Sequence, residues 1–342
     1  MAGSGTEHLR PAGETLLRAE NLTVEFPVGR TGLKVHAVSD ISIDVREGET
    51  LGLVGESGCG KSTTGRAMMQ LPRPNAGSVL FNGVDLTTLS PKELREVRPQ
   101  MQMIFQDPIS SLNPRRRVAD IVGEPLKIWK RAEGAEVDRI VNETLENVGI
   151  DPAAAGGRRP HQFSGGQCQR ICIARSLVLN PKLIICDEPV SALDVSVQAQ
   201  ILNLLQDMKR AYNLTLVFIA HDLAVVKNVS DRVAVMYLGK MCEVAPPDDL
   251  YAQPAHPYTA ALLGSIPVPD PSIQLAEEST LAGEIPSPVA PPSGCRFRTR
   301  CPRATDMCAQ VEPKMRKIGL GHYVACHFPL DAPVKISPSA AH

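Results

Sequence analysis

The sequence predicts an α/β fold with a parallel-type central sheet, and three observations predict it. First, Gly55-Glu56-Ser57-Gly58-Cys59-Gly60-Lys61-Ser62 fits the phosphate-loop pattern G-x-x-x-x-G-K-[ST]. It stands between Glu49–Val54, which reads as a buried strand, and Thr63–Met69, which reads as a helix. Second, Leu183-Ile184-Ile185-Cys186 and Leu214–Ala220 are continuous apolar runs, as in strands covered on both faces. Third, these runs alternate with helical spacing, longest over Val195–Tyr212, where Ile201, Leu202, Leu204, Leu205 and Met208 share one side.

The elements follow in order. Residues 1–15 are polar and Gly-rich and are expected to be disordered. Glu20–Phe26 alternates, with Leu22, Val24 and Phe26 on one face, and Ile41–Val45 alternates as a half-buried strand should. Gly77–Phe81 reads as a further strand. From Pro108 to about Asn180 the pattern turns helical: Ser111–Pro114 is a turn, Val118–Val122 and Val137–Val148 carry helical spacing, and Gln169–Leu179 is a helix. Arg232–Leu238 is another strand, closing a first domain over 16–250 with its helical subdomain at about 108–180. A C-terminal segment and linker, 251–292, holds seven prolines between Ile266 and Pro292 and is expected to be extended. A block at 293–330 carries four of the nine cysteines, and 331–342 is a tail.

Composition narrows the function. Lys+Arg 36 against Asp+Glu 37 leaves a net charge of −1, and only 4% of residues are aromatic. Neither supports nucleic acid as a partner. Arg115-Arg116-Arg117 reads as a solvated basic loop. No apolar signal segment opens the chain, and no run approaches the ~18–20 apolar residues that span a bilayer. A phosphate-binding loop with nine cysteines and no export signal points to the cytosol.

The chemistry rests on a set of motifs. Glycines in the loop turn backbone N–H groups inward as an anion nest, and the helix start adds its dipole. Lys61 would neutralise the β- and γ-phosphates, Ser62 would ligate Mg²⁺, and Thr63 continues the phosphate-contacting run. Asp187 ends an apolar strand and would hold Mg²⁺, and Glu188 would polarise the attacking water as general base. Ser164-Gly165-Gly166-Gln167 opens a helix and offers a second anion site.

That pairing of phosphate loop and Ser-Gly-Gly-Gln motif resembles the ATP-binding-cassette (ABC) ATPases. The resemblance implies a head-to-tail pair with two ATP molecules sandwiched between subunits. It implies that Gln106, after the apolar strand Met101–Phe105, senses Mg²⁺ and the attacking water. It implies that Ser191-Ala192-Leu193-Asp194 crosses the dimer interface and that His221 contacts the γ-phosphate. Phe26 is the candidate for stacking on adenine, with a core aromatic as the alternative. Phe105–Pro108, Ser111–Pro114, Cys186–Asp194 and His256-Pro257-Tyr258-Thr259 resemble the ATPases of oligopeptide and dipeptide importers, in particular the second of their two ATPases. One departure is Cys168, where that family usually carries Arg. The implied partners are a second ABC ATPase, two transmembrane permease subunits and, indirectly, an extracytoplasmic peptide-binding protein, at the cytoplasmic face of the cell membrane. The alternatives are an importer ATPase for nickel or another small solute, a soluble non-transport ABC ATPase, and a non-hydrolysing regulatory module.

Cys295, Cys301, Cys308 and Cys326 are spaced C-x5-C-x6-C-x17-C. A metal site is favoured over disulfides in such a chain, and the tight hooks of zinc sites are absent. Similar tails in the peptide-importer ATPases imply a [4Fe-4S] cluster, with zinc and no metal as alternatives. Arg296, Arg298, Arg300 and Arg303 lie close in sequence to offset its charge. Cys59, Cys168, Cys172, Cys186 and Cys242 read as small buried hydrophobes.

Overall fold

The computed structural model describes residues 5–265 and 283–330. Part of the expected extended connection (266–282) and the tail (331–342) lie outside the described residues. The described residues form two compact units, the first from 5–46, 50–88, 220–265 and 283–330, the second from 47–49 and 89–219.

The first unit holds an antiparallel sheet in the order Lys34–Val45, Leu17–Pro27, Ala76–Phe81, Val84–Asp85. Leu17, Ala19, Leu22 and Val24 are buried. Asn21, at φ +52°, accompanies a register shift between Ala19 and Leu22. The shift lets apolar positions on both sides of it face inward. Ile41–Val45 departs from the half-buried expectation, since all five residues are buried. The cause is the chain's own N-terminus. The His8 ring lies 2.7 Å from the Ser42 carbonyl, and the Arg10 N–H donates to Asp44 at 2.7 Å. Disorder is therefore the wrong reading for residues 5–15: His8 is 2% exposed and Ala12–Glu14 is a 3-10 turn. Burial alone would push the Asp44 carboxyl up, but Arg232 at 2.5 Å and the Arg10 amide hold it below the usual range.

A second sheet of this unit places Thr50–Val54 parallel to Arg232–Tyr237. Lys240–Ala245 follows antiparallel, then His322–Val324 and Arg316–Gly319. The cysteine-bearing block thus adds strands to this sheet. The joint is held by Glu243, fully buried, which accepts from the Ala255 and His256 amides at 2.8 Å and pairs with His322 at 2.7 Å. A buried carboxylate demands such partners.

In the second unit Met101–Ile104, Leu183–Asp187 and Thr215–Ala220 run parallel, and Leu183–Asp187 and Thr215–Ala220 are buried throughout. The helical region comprises Val118–Ile128, Ala135–Asn147 and Gly165–Leu177. Val137, Val141 and Leu145 form the apolar stripe of the middle helix. The Gly165 helix starts four residues before the expected Gln169, because Ser164 caps it. Pro108–Ser111 is a short helical turn capped by Asp107, leading into the expected turn. Val195–Tyr212 is helical over the expected range. No helix among the described residues is long and apolar enough to cross a membrane.

Candidate functional site

The phosphate loop lies in the first unit, between the strand Thr50–Val54 and the helix Lys61–Met68. Gly55, Gly58 and Gly60 all have positive φ. Gly60, at φ +104°, packs so tightly that a Cβ would lie 2.2 Å from the Ala37 carbonyl oxygen. Only glycine combines that conformation with that approach. Ser57 and Gly58 form an exposed tip, and Ser62 and Thr63 are half-buried at the helix start. Lys61 is 4% exposed, and its ammonium donates to the carbonyls of Gly55 (2.8 Å) and Glu56 (3.0 Å). Cys59 is buried, and burial pushes its thiol up, which makes it a packing residue as expected.

The second unit carries the strand-end acids. Asp187 is fully buried at the end of Leu183–Asp187. Glu188 follows with φ +47°, a conformation uncommon for a residue with a Cβ. Its N–H donates to Ile219 O at 3.0 Å, and its carboxylate accepts from Gln106 Nε2 at 2.9 Å. Two expected catalytic residues, 82 positions apart, are thus in direct contact. Strain held at a polar strand end is typical of functional positions.

Ser164 and Gln167 form a capping box: Ser164 Oγ accepts from Gln167 N–H at 3.3 Å and Gln167 Oε1 accepts from Ser164 N–H at 3.0 Å. Gly165 and Gly166 lie half-exposed at the helix start, and a Cβ on Gly166 would sit 2.5 Å from Val197. Cys168 is buried, with its thiol 3.5 Å from Pro160 O. Arg175 donates to Ser111 O at 2.6 Å, joining this helix to the segment after Gln106. Asp194 is exposed and precedes the helix Val195–Tyr212. Arg115, Arg116 and Arg117 are exposed, and Arg116 pairs with Glu124.

In the first unit, His221 is exposed at the end of Thr215–Ala220, and Asp222 caps the next helix by accepting from the Ala224 N–H at 2.8 Å. Phe26 is 37% exposed near the end of its strand. Phe26 is therefore not a buried core aromatic, unlike the fully buried Leu22 and Val24 of the same strand.

Cys295, Cys301, Cys308 and Cys326 line one cavity with His256 and Phe297. Burial pushes the Cys295 thiol up to about 12 and the Cys326 thiol up to about 11. The amides of Phe297, Arg303 and Phe328 act the other way on Cys295, Cys301 and Cys326 as hydrogen-bond donors. Among the described residues no group of three or more His, Cys, Asp or Glu converges as the ligands of one metal ion do. The other five cysteines are buried, as expected.

Sequence reasoning missed two residues that touch the phosphate loop. Tyr258 Oη accepts from the Glu56 N–H at 2.8 Å, and Arg300 grips the Glu56 carboxylate through two nitrogens at 2.8 and 3.1 Å. They lie 202 and 244 positions away, so no local pattern announces the contact.

Comparison with known proteins agrees with this set of features. Residues 38–191 match the ABC transporter family, and residues 242–308 match the family described as oligopeptide/dipeptide transporter, C-terminal region. The oligopeptide transport ATP-binding protein AppF of Bacillus subtilis is 50% identical over 322 residues, covering 92% of this chain and 97% of that protein. The oligopeptide transport ATP-binding protein OppF of Haemophilus influenzae is 48% identical over 322 residues, with the same coverage. The dimeric ABC transporter cassette MJ0796 superposes with a TM-score of 0.62 at 27% identity, covering 68% of this chain and 98% of that one. The chain belongs to the ABC transporter ATPases, in the family of oligopeptide/dipeptide transport ATP-binding proteins.

Proposed function

We propose that this chain is the ATP-hydrolysing subunit of an importer for di- and oligopeptides. The observation that carries the reading is the match of residues 242–308 to the oligopeptide/dipeptide transporter C-terminal region. In this reading Lys61, Ser62 and the loop amides hold the triphosphate and its Mg²⁺, with Asp187 and Gln106 as further Mg²⁺ contacts. Glu188 is the general base, His221 meets the γ-phosphate, and Phe26 stacks on adenine. Ser164–Gln167 and Asp194 act across a dimer interface, on the nucleotide held by the other ATPase. That partner is a second ABC ATPase of different sequence, and the pair works on two transmembrane permeases at the cytoplasmic face of the membrane. An extracytoplasmic peptide-binding protein delivers the solute.

The test is affinity purification of the tagged chain from detergent-solubilised membranes. Two multi-spanning chains and a second ATPase are expected to co-purify. Recovery of the tagged chain alone, with none of them, would count decisively against the importer reading.

We also propose Cys295, Cys301, Cys308 and Cys326, which line one cavity, as the ligands of a [4Fe-4S] cluster. A cluster distributes its thiolates over four irons, so its ligands do not converge on one point as those of zinc do. Burial keeps these thiols protonated and the amides of Phe297, Arg303 and Phe328 only partly oppose it, so thiolate ligation would need the charge of the bound irons. A bound cluster would supply a rigid four-point crosslink with one-electron chemistry. Anaerobic purification is expected to give a brown protein with about four irons and four acid-labile sulfides per chain. A colourless, iron-free preparation would rule the cluster out.

A further inference from the structure

We infer that Arg300 and Tyr258 are positioning residues for ATP: they hold the phosphate loop through Glu56, and Arg300 cancels a charge that would otherwise repel the nucleotide. The inference rests on the reading of Gly55–Ser62 as the ATP loop.

Every polar group of Glu56 is engaged. Its N–H donates to Tyr258 Oη at 2.8 Å, and its carbonyl accepts from Lys61 Nζ at 3.0 Å and the Cys59 N–H at 3.2 Å. Its carboxylate is held by Arg300 in a two-pronged pair, the strongest geometry available to these groups. The Arg300 side chain is 4% exposed and Glu56 19%. A pair so shielded gains little net stability, because desolvation consumes most of the Coulomb attraction. Its consequence is local: a carboxylate in a polyphosphate-binding loop opposes the ligand unless it is neutralised, and at 19% exposure water screens it only in part.

The anchors are themselves rigid. Tyr237, Tyr258 and Phe297 form an aromatic cluster with ring centroids 4.7–5.3 Å apart. The Arg300 guanidinium lies 5.8 Å from the Tyr237 ring centre. From the same segment Arg296 donates to Leu238 O and, at 2.8 Å, to Ser39 Oγ. The adjacent Gly239 N–H holds Cys59 O at 2.8 Å. The stretch from Cys295 to Cys301 therefore braces the loop at two points, and Arg300 directly precedes Cys301, which lines the four-thiol cavity.

The test is calorimetric titration of the full chain with MgATP. Arg300→Gln keeps the side chain polar and of similar reach but removes its charge, and it is expected to raise Kd about tenfold, equivalent to about 1.4 kcal/mol. Adding Glu56→Gln to it is expected to restore most of that loss, since the repelling carboxylate is gone. Tyr258→Phe is expected to raise Kd about threefold with little change in Tm, as loss of one hydrogen bond implies. A purely structural pair would lower Tm in Arg300→Gln without rescue by the second substitution, and that result overturns the inference. So does wild-type affinity in both Arg300→Gln and Tyr258→Phe. Failure of the wild-type chain to bind MgATP would instead overturn the nucleotide-loop reading beneath it.

Discussion

Glu188→Gln is expected to stop ATP turnover while leaving MgATP bound. The substitution is nearly isosteric, and the new amide oxygen can still accept from Gln106 Nε2, which lies 2.9 Å from the carboxylate. The backbone conformation at φ +47° is equally available to Gln, and the Glu188 N–H bond to Ile219 O does not involve the side chain. What disappears is the anionic oxygen that would accept a proton from the attacking water. General-base catalysis contributes roughly 10²- to 10⁴-fold, so kcat should fall by that factor. Phosphate release and calorimetric binding measure the two halves separately. Release at the wild-type rate would remove Glu188 from the role of base. Gln106→Ala provides a companion measurement: if Gln106 orients the carboxylate, kcat drops by less than in Glu188→Gln.

The second large effect is on binding. Lys61→Ala deletes a charge expected to meet the β- and γ-phosphates, and it deletes the two hydrogen bonds that fold the loop over its own side chain, to Gly55 O and Glu56 O. A hydrogen bond to a charged group is worth about 1.5–3 kcal/mol, so Kd for MgATP should rise by roughly 10- to 100-fold or more. The helix Lys61–Met68 buries Thr64, Ala67 and Met68 independently of Lys61, so the fold is expected to persist. Unchanged affinity by calorimetry would show that the loop does not use Lys61 for phosphate. The two substitutions differ in kind: one removes the chemical step with the ligand in place, and the other prevents the ligand from settling.

Much of the candidate site was legible from local pattern. The phosphate loop, Asp187 and Glu188 at a strand end and the Ser164 cap each depend on residues within a few positions of one another. Such short-range chemistry survives in a linear reading. The antiparallel sheet of the first unit was harder, because alternation marks a strand but not its neighbour or its register. The fully buried Ile41–Val45 was missed for a similar reason. Its polar face is covered by His8 and Arg10, from a segment whose composition looks like a solvated tail. Proximity in sequence places Arg300 beside the cysteines, whereas in the fold its guanidinium pairs with Glu56. Arg296 likewise reaches Leu238 and Ser39.

By itself the sequence determined the class of chemistry, because nest-forming glycines, a lysine, strand-end acids and a capped helix start are local demands of polyphosphate binding and write themselves in short motifs. Only the tertiary structure decided which distant groups complete that loop. Tyr258 and Arg300 reach Glu56 from an aromatic cluster with Tyr237 and Phe297, and contacts across some 200 residues depend on packing in three dimensions, which no spacing along the chain encodes.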